Sequence, residues 1–558
     1  MCGIAGLIRA DRHGVSATLA RMSEAIQHRG PDDLGYFLAA PGASHLGRQA
    51  PDDAGWRLGL AHRRLSILDL SEAGWQPMAS ADGRYVTVFN GEIYNYQELR
   101  AELAAAGHAF HTSSDTEVLL VAYRAWGEAA LSRFVGMFAF ALLDREANTL
   151  FLARDFFGIK PLFYSTFAGG LAFASEVKAL LEVPEVGRQV APGPLYDYLR
   201  FGLTDHGEST LLADVRQLLP GHCVTIRLDH PDQVAPAPYW RLDPTPRTDL
   251  SFDEATTRVR ELFLDAVRLH LRSDVPVGAA LSGGIDSSAI VMAMRALEPG
   301  VKLHTFSFIT DDPAASEEHY MRLVAGAAGA TMHEVTPRAE ELVADLDDLI
   351  AAQDFPFGST GIYAQFRVFR LARAAGITVM LDGQGADELL AGYRFHLSAR
   401  LASLLRRGHW LEGARFTARA GGLLSSQGPR LFFQAGGLLL PPGLQAAARR
   451  LVGEELAPPW LEAGWFTRQG VALAQPHQAR AREILREQLV QAVETTSLPA
   501  LLRYEDRNSM HFGMESRVPF LTPALARFLL SLPEDYLVGP DGTSKAVFRA
   551  AMRGLVPD

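Results

Sequence analysis

The sequence predicts two domains of different architecture: an α+β domain at residues 2–190 and an α/β domain with a parallel sheet at residues 248–558, joined by a connector at 191–247. Short β-rich segments separated by turn residues indicate the first architecture. A regular alternation of helices and strands indicates the second. A chain of 558 residues, 48% hydrophobic and 21% charged, is long enough to form several cores of this kind.

Strands and helices are both indicated in the first domain. The β-rich run Tyr85–Phe89 leads into Asn90-Gly91, and Met137–Leu143 with Thr149–Ala153 has the pattern of a hairpin. Capping boxes at Asn95-x-x-Glu98 and Ser114-x-x-Glu117 predict two helices. This half is therefore α+β. Prolines that interrupt short strand-like pieces predict the connector; they are Pro192, Pro194, Pro220, Pro231, Pro236, Pro238, Pro244 and Pro246.

In the second domain, a capping box at Ser251-x-x-Glu254 begins a helix with one apolar face. Strands then alternate with helices, which predicts a parallel sheet with ligands at the carboxyl ends of its strands. The region 396–500 is predicted to be helical and carries no recognisable chemistry. The predicted strands are Val275–Leu281, Leu303–Phe308, Thr331–Val335 and Ile377–Leu381.

Charge and cysteine content exclude several classes of protein. The formal net charge of −11, without long runs of one sign, argues against nucleic acid or an anionic membrane as partner, so we expect small-molecule ligands. Two cysteines, Cys2 and Cys223, cannot make a disulfide framework, which favours a reducing compartment. We find no secretory signal, and the apolar stretch Leu431–Ala447 is too short and interrupted to span a bilayer. We therefore expect a cytoplasmic protein.

The second residue, in the run Met1-Cys2-Gly3, is a candidate nucleophile. Removal of Met1 would place the thiol of Cys2 beside a free α-amino group whose ordinary pKa is about 8, and that group can serve as its base. Taken alone, a cysteine near a terminus is more typical of an incidental small hydrophobic residue than of a nucleophile. The assignment therefore depends on other motifs.

Four motifs accompany Cys2 in an order and spacing that resemble the class II glutamine amidotransferase domain; they are Arg29–Asp32, Ala61–Ile67, Val88–Asn95 and Ser113–Glu117. The resemblance covers most of residues 2–180. It implies the αββα sandwich of the N-terminal-nucleophile family and the hydrolysis of glutamine to glutamate and ammonia. Alone, Asn90-Gly91 is typical of a hairpin turn and Asp115 of the first turn of a helix, but their joint occurrence favours the functional interpretation.

Thiolate attack on an amide creates an oxyanion, which the Asn90 side chain and the Gly91 N–H can stabilise. The resemblance implies that Arg64 binds the carboxylate of glutamine and that Glu92 and Asp115 bind its ammonium group. The other glutamine-binding residues that it implies are Leu65, Ser66, Ile67 and Leu68.

The run from Ser282 to Ser288 follows a predicted strand and opens a helix, so its N–H groups and hydroxyls can hold a pyrophosphate. It lacks the lysine of a Walker A motif and the third glycine of a dinucleotide-binding motif. It resembles the Ser-Gly-Gly-x-Asp-Ser motif of ATP pyrophosphatases, which leave an adenylated substrate; an ordinary Ser/Gly turn is the alternative. The implied ATP-binding residues are Ala280, Leu281, Ser282, Gly283, Gly284, Asp286, Ser287, Ser288, Phe308, Asp382 and Gly383.

Asp286 and Asp387 are candidate Mg²⁺ ligands, because Mg²⁺ prefers one or two carboxylates with phosphate oxygens. The runs 503–510, 515–521 and 543–545 resemble C-terminal motifs of the asparagine synthetase family. Lys545 would there neutralise phosphate charge during adenylation, although a solvated surface lysine is the alternative.

With both halves present, the chain resembles glutamine-hydrolysing asparagine synthetases. The resemblance implies that ATP and a carboxylate form an acyl adenylate, and that ammonia released at Cys2 crosses an internal tunnel to form the amide. L-Aspartate is the expected acceptor, with Gln384 and Asp387 at the adenylate site. A homodimer is compatible with this interpretation.

Two departures from the family pattern bear on this expectation. Gln384 stands where the family usually has a glutamate, and an amide cannot accept a proton, so a sugar acid or a cell-wall carboxylate is the alternative acceptor. The chain stops at Val556-Pro557-Asp558, where the family usually continues, so we expect a segment that closes the synthetase site to be missing. A β-lactam synthetase-like cyclase would not need Cys2, and a non-catalytic scaffold would have lost one of the two sets of motifs.

Overall fold

The computed structural model describes residues 2–245, 247–312, 316–423, 428–440, 456–473 and 482–557. Strands among these residues form three sheets, of seven, six and five strands. The first two belong to the N-terminal half and are antiparallel; the third belongs to the C-terminal half and is parallel.

The seven-stranded sheet contains the strand that follows Cys2. Ile4 and Ile8 point to one face and pack against the other antiparallel sheet, whereas Ala5 and Leu7 pack beneath the helix Val15–Ala25. Both faces are therefore covered. In spatial order its strands are Arg216–Gln217, Phe163–Phe167, Gly170–Ala174, Gly3–Arg9, Leu58–Arg64, Asp33–Ala40 and Ala43–Gly47.

The six-stranded sheet packs its inner face, including Val86 and Val88, against the first sheet. Its outer face lies under the helices Tyr96–Ala105 and Asp115–Trp126. The order of layers is helix, sheet, sheet, helix, which confirms the predicted αββα sandwich. In spatial order the strands are Ala237–Pro238, His222–Arg227, Thr149–Arg154, Gly136–Asp144, Tyr85–Ile93 and Met78–Ala79.

The segment 191–247, predicted as a connector, begins with the helix Pro192–Phe201. It then extends both sheets at one edge. Residues 216–217 pair with Phe163–Phe167 in the first sheet, whereas residues 222–227 pair with Thr149–Arg154 in the second and with the outermost strand, residues 237–238. The segment is thus continuous with the sandwich through these backbone pairings. Short helical turns also belong to this half, at Gln27–Arg29, Glu72–Gly74, Gly127–Arg133 and Val177–Leu180.

The two capping boxes predicted in this half are wrong in detail, although both helices form. Asn95 precedes its helix but makes no cap; its amide nitrogen donates to the Arg133 carbonyl at 2.9 Å, and its oxygen accepts from the Val135 N–H at 2.8 Å. Ser114 does cap its helix, but Glu117 turns away and accepts from the preceding loop. The side chains of Asn95 and Glu117 thus bond to loop residues instead of closing a capping box.

The five-stranded parallel sheet confirms the predicted α/β domain. Its first helix, Phe252–His270, begins with the predicted capping box between Ser251 and Glu254. In spatial order the strands are Thr331–Val335, His304–Phe308, Val277–Ala280, Val379–Leu381 and Glu515–Arg517. The helices that cover it include Ile285–Leu297, Glu318–Ala328, Ala339–Gln353 and Gly361–Ala374.

The described part of the region 396–500 is mainly helical, as predicted, with non-helical residues at 456–462 and 469–473. In the described parts of the chain, no helix is long and apolar enough to cross a membrane. Residues 441–447 of the apolar stretch Leu431–Ala447 lie outside the described residues. The remaining helices are Ala386–Leu390, Phe395–Arg406, Trp410–Leu423, Gly428–Leu439, Ala463–Arg468, Ile484–Gln491, a π-helical turn Ala492–Thr496, Leu498–His511, Pro523–Ser531, Glu534–Leu537 and Ala546–Ala551.

Candidate active sites

Cys2 lies at the start of the central strand of the seven-stranded sheet and is 8% exposed. Its backbone N–H donates to the Asn90 side-chain oxygen at 3.0 Å, and its Sγ lies 3.9 Å from the Leu65 carbonyl oxygen. Burial raises the pKa of the Cys2 thiol, so a thiolate there needs a nearby base. The nitrogen of Cys2 itself stands next to the thiol.

Asn90 and Gly91 lie on the strand Tyr85–Ile93, which crosses above Cys2. Because Asn90 Oδ1 accepts from Cys2, its Nδ2 is left as a donor, and this atom is buried without a partner among the described residues. Gly91 has φ +156°, and a Cβ on it would lie 2.1 Å from the Met137 carbonyl oxygen. A buried, uncommitted donor beside a thiol is the arrangement that an oxyanion requires.

We predict that Gly91→Ala lowers glutamate release from glutamine at least about tenfold, because the methyl group must displace the Met137 backbone and with it the site. The measurement is glutaminase activity together with thermal unfolding. Gly107→Ala is the matched control: Gly107 also has positive φ, but no atom of the described residues lies within 4 Å of its Cβ position. Equal losses in the two variants would contradict the prediction.

Two carboxylates face the same region. Asp115 accepts from the Ile93 N–H at 2.9 Å, and burial raises the pKa of Asp115 to about 6. Burial, with the negative charges of Glu515 and Asp115, raises the pKa of Glu92 well above its usual range. One Glu92 oxygen has no partner in the described chain, and Arg517 lies 3.8 Å from the other. A cationic ligand group would relieve this accumulation of negative charge.

The loop after Leu58–Arg64 completes the neighbourhood of Cys2. Arg64 is buried, donates to the Ser71 carbonyl at 3.0 Å, and acts electrostatically on the Cys2 thiol. The Ser66 N–H donates to Asp32 at 2.7 Å, and Leu68 is half-buried. Among the predicted residues of this half, Asn90 and Leu65 contact Cys2 directly, and Arg64 and Glu92 act electrostatically on its thiol.

Leu65 and Ile67 have a second role in this loop, because they pack against Val379 of the parallel sheet. The loop that lies over Cys2 is thus also an interface with the other domain.

Arg29 also connects the two domains, which sequence reasoning missed although its motif was noticed. Its side chain is fully buried, and its Nε donates to the Cys2 carbonyl at 3.0 Å. Its other nitrogens donate to Glu176 at 2.6 Å and to Asp506 of the second domain at 2.8 and 3.0 Å. Gly30 is required beside it, since a Cβ there would overlap the Arg63 backbone at 2.2 Å. The backbone of Cys2 is thereby held by a buried ion cluster shared with the synthetase half.

In the second domain, the loop at 282–284 joins the strand Val277–Ala280 to the helix Ile285–Leu297, as predicted. Ser282 N–H and Oγ both contact Ser287 Oγ, at 3.1 and 3.0 Å. Gly283 has φ +85°, and a Cβ on it would lie 2.9 Å from the Glu317 carbonyl oxygen, so a side chain is excluded. The N-terminus of this helix opens towards a cavity.

The cavity has a volume of about 670 Å³. Among the described residues that line it, only Glu317 and Asp382 carry charge, and both are acidic. Gly283, Gly284, Asp286, Ser288 and Gly383 do not line it but lie in or beside the same loops, and Gly383 approaches Asp286. The predicted residues that do line it are Ala280, Leu281, Ser282, Ser287, Phe308, Asp382 and Gln384.

Lys545 lies between the two predicted metal ligands. Its Nζ contacts Asp286 Oδ2 and lies 2.6 Å from Asp387 Oδ1. The second Asp286 oxygen is buried without a partner in the described chain, and burial raises the pKa of Asp286 even though Lys545 opposes the shift. Gly392, which sequence reasoning missed, makes room for this group, since a Cβ on it would lie 1.6 Å from Asp387.

Glu505 is a further residue that sequence reasoning quoted within a motif without assigning a role. It is 3% exposed and accepts from Gln365 and from Ser516, and burial together with the negative charge of Asp382 raises its pKa well above the usual range. Its helix, Leu498–His511, is far from Asp382 in sequence, so no local pattern could reveal this effect.

Both halves of the chain match families of known proteins. Residues 1–240 match the model described as a glutamine amidotransferase domain, and residues 258–558 match the model described as asparagine synthase. A glutaminase half followed by an ATP-using synthetase half defines the class of glutamine-dependent carbon–nitrogen ligases. Within that class, the chain belongs to the glutamine-hydrolysing asparagine synthetase family.

Two of the relatives match the whole of this chain, and a third matches part of it. Asparagine synthetase [glutamine-hydrolyzing] 1 of Bacillus subtilis is 32% identical, over 100% of this chain and 85% of that protein. A putative asparagine synthetase [glutamine-hydrolyzing] of Mycobacterium tuberculosis is 34% identical, with the same coverage. A Gibberella zeae protein named amidase chry2 is 31% identical, over 70% of this chain and 59% of that protein. The chain is a ligase that uses glutamine and ATP for amidation.

Proposed function

We propose that the acceptor is L-aspartate, which is converted to L-asparagine through a β-aspartyl adenylate. The observation that carries this proposal is the similarity, over the whole of this chain, to proteins named asparagine synthetase, at 32% and 34% identity. The two candidate sites supply the groups that each half-reaction needs.

In the glutaminase half, Cys2 attacks the side-chain amide of glutamine, and its own α-amino group, freed by removal of Met1, takes the thiol proton. Asn90 Nδ2 and the Gly91 N–H stabilise the oxyanion. Arg64 binds the carboxylate of glutamine, while Glu92 and Asp115 bind its ammonium group. The raised pKa values of these two carboxylates support this role, because a bound cation stabilises their ionised forms. Leu65, Ser66, Ile67 and Leu68 form the rest of the binding loop.

Ammonia then passes to the second domain through the interface formed by Leu65, Ile67 and Val379. These side chains are apolar, so they favour neutral ammonia over ammonium and exclude bulk water. Arg29 donates to the Cys2 carbonyl and to Asp506, and so fixes the position of one domain relative to the other at this interface.

In the synthetase half, the loop at 282–288 holds the phosphates of ATP, with the adenosine in the cavity beside Leu281 and Phe308. Lys545 neutralises charge on the departing pyrophosphate. The unpartnered Asp286 oxygen and the adjacent Asp387 fit a Mg²⁺ site completed by phosphate oxygens. When bound, Mg²⁺ would neutralise phosphate charge there.

A second candidate is the same chemistry on another carboxylic acid, such as a sugar acid or a cell-wall carboxylate. One property of the cavity favours such an acid over aspartate. Aspartate carries a second carboxylate that a lysine or arginine would bind, and neither residue type is among the described residues that line the cavity. The similarity to the amidase chry2 shows that relatives of this chain are not all named for asparagine synthesis.

Mass-spectrometric product analysis with glutamine, Mg-ATP and a panel of carboxylic acids tests the acceptor. We expect asparagine from aspartate in the wild type. Gln384→Glu should retain it, whereas Gln384→Ala should lower aspartate-dependent pyrophosphate release several-fold, since the amide of Gln384 can position a ligand in the cavity. Absence of asparagine, with amide formed from another acid, would replace aspartate by that acid.

A further inference from the structure

Arg517 ends the edge strand of the parallel sheet, but its side chain extends to the glutaminase half. The side chain is fully buried, and its Nη1 donates to the carbonyls of His270 and Arg272 at 2.6 and 2.7 Å. Its Nε donates to Glu515 at 2.5 Å. These bonds fix the plane of the guanidinium and leave Nη2 as the group that faces Glu92, at 3.8 Å from Oε1.

The contact between Arg517 and Glu92 is incomplete on both sides. Arg517 Nη2 and Glu92 Oε2 are buried, and neither atom has a hydrogen-bond partner among the described residues. The 3.8 Å between Nη2 and Oε1 is short enough for an ion pair but too long for a hydrogen bond. Buried polar atoms of native proteins are nearly always paired. The free oxygen of Glu92 is therefore available to a further donor, such as the ammonium group of a ligand.

The negative charge around Arg517 exceeds what one guanidinium neutralises. Glu515 and Glu92 both face its nitrogens, and Asp115 accepts from the N–H of Ile93, the residue after Glu92. Burial and the charges of Glu515 and Asp115 raise the pKa of Glu92, and the charge of Arg517 opposes this rise. Arg517 and a bound ammonium group together would balance the carboxylates better than either cation alone.

We propose that Arg517, a residue of the synthetase half, is a positioning residue of the glutamine site: it pairs with Glu92 and so fixes that carboxylate in position to bind the ammonium group of glutamine. This inference rests on the proposed role of Glu92. The backbone of Arg517 also reaches the synthetase cavity, because its carbonyl accepts from the N–H of Asp382 at 2.8 Å. One residue of the synthetase half therefore contacts the recognition groups of one site and the wall of the other.

A substrate without the ammonium group isolates this role. Glutaramate, the monoamide of glutaric acid, is glutamine without its α-ammonium group, so its binding does not use the charge of Glu92. Ammonia release is measured with glutamine and with glutaramate in the full-length protein, and glutaramate is also tested as a competitor of glutamine, which reports its affinity even if it is hydrolysed slowly. We expect Arg517→Met to lower kcat/KM for glutamine at least about tenfold, mainly through a higher KM, and to change the affinity for glutaramate less than about threefold.

Arg517→Lys separates the charge of the side chain from its other contacts. Neither lysine nor methionine reproduces the full set of guanidinium contacts, but lysine keeps a positive charge beside Glu92. We expect Arg517→Lys to recover at least about threefold of the lost kcat/KM for glutamine, which a merely structural role would not allow. Arg517→Gln, which has no charge but can still donate to the backbone carbonyls, replaces Arg517→Met if thermal unfolding shows that Arg517→Met does not fold.

Arg486→Met is the matched control. Arg486 is also a buried arginine of the synthetase half and is paired with Glu483 on its own side of the molecule. The preference of this variant for glutamine over glutaramate should stay within about twofold of wild type, since no charge near Glu92 is changed. A preference lowered as much in Arg486→Met as in Arg517→Met would overturn the proposal.

Glu92→Gln distinguishes a failure of this inference from a failure of the proposed function. If Glu92→Gln leaves the preference for glutamine unchanged, Glu92 does not bind the ammonium group, and both the proposed role of Glu92 and this inference fail. If Glu92→Gln removes the preference but Arg517→Met does not, this inference alone fails. Equal losses with both ligands in Arg517→Met, or equal losses in Arg517→Lys and Arg517→Met, would also overturn it.

Discussion

Replacing Cys2 with alanine is expected to lower glutamate release from glutamine by about 10⁴-fold or more, the scale at which enzymes lose activity with their nucleophile. Amide synthesis from added ammonium should persist, because the second site needs only ammonia and the adenylate. The small side chain at position 2 leaves intact the backbone contacts to Asn90 and Arg29 that hold the site. Glutamate and amide are measured in parallel, with glutamine or ammonium chloride as nitrogen source.

Cys223→Ala is the matched control for this experiment. Cys223 is also buried, but it lies on the strand His222–Arg227 and packs in the core beneath the outer helices. We expect both activities of that variant to remain within about twofold of wild type. Glutamate release by Cys2→Ala at the wild-type rate would show that another group is the nucleophile.

The elements that sequence reasoning identified well are those whose causes are local. The strand Tyr85–Ile93 and the hairpin of Gly136–Asp144 with Thr149–Arg154 follow from β-rich runs bounded by turn residues. The alternation of helices and strands after Ser251 predicted the parallel sheet, and the structure confirms it. Each helix or strand is short enough for its hydrophobic period to be recognised in the sequence. The clustering of Cys2, Leu65 and Asn90 followed from motifs that resemble a known family, and the structure brings them together.

What the sequence could not predict depends on pairs of residues that are distant along the chain. Arg29 and Asp506 are 477 positions apart, and no periodicity relates them. Nor does any local pattern relate Glu505 to Gln365, which donates to it from 140 positions away. The capping box at Asn95 failed for the same reason, because a loop some 40 positions away supplied better partners for the side chain. Tertiary contacts override local hydrogen bonds when they bury the groups concerned.

The buried ion cluster at the domain interface has a consequence for how the two activities are joined. Arg29 touches the backbone of Cys2 and the carboxylate of Asp506, whose helix also carries Glu505. Burial opposes ionisation of Asp506, but the guanidinium of Arg29 holds its pKa below the usual range. One buried arginine therefore links the backbone of Cys2 to the helix Leu498–His511 of the synthetase half.

Asp286→Ala is expected to lower acceptor-dependent pyrophosphate release by about 10²-fold or more, because Lys545 and the proposed Mg²⁺ site both lose a partner that is buried beside them. Glutamate release should persist, since Asp286 lies in the other domain. Asp265→Ala is the control: Asp265 is an exposed residue of the same domain whose carboxylate accepts from Arg268 on its own helix. AMP, pyrophosphate, ADP and orthophosphate are quantified for all three proteins over a range of Mg²⁺ concentrations. Adenylation is supported if the wild type and Asp265→Ala release AMP and pyrophosphate and Asp286→Ala does not. It is contradicted if the wild type releases ADP and orthophosphate.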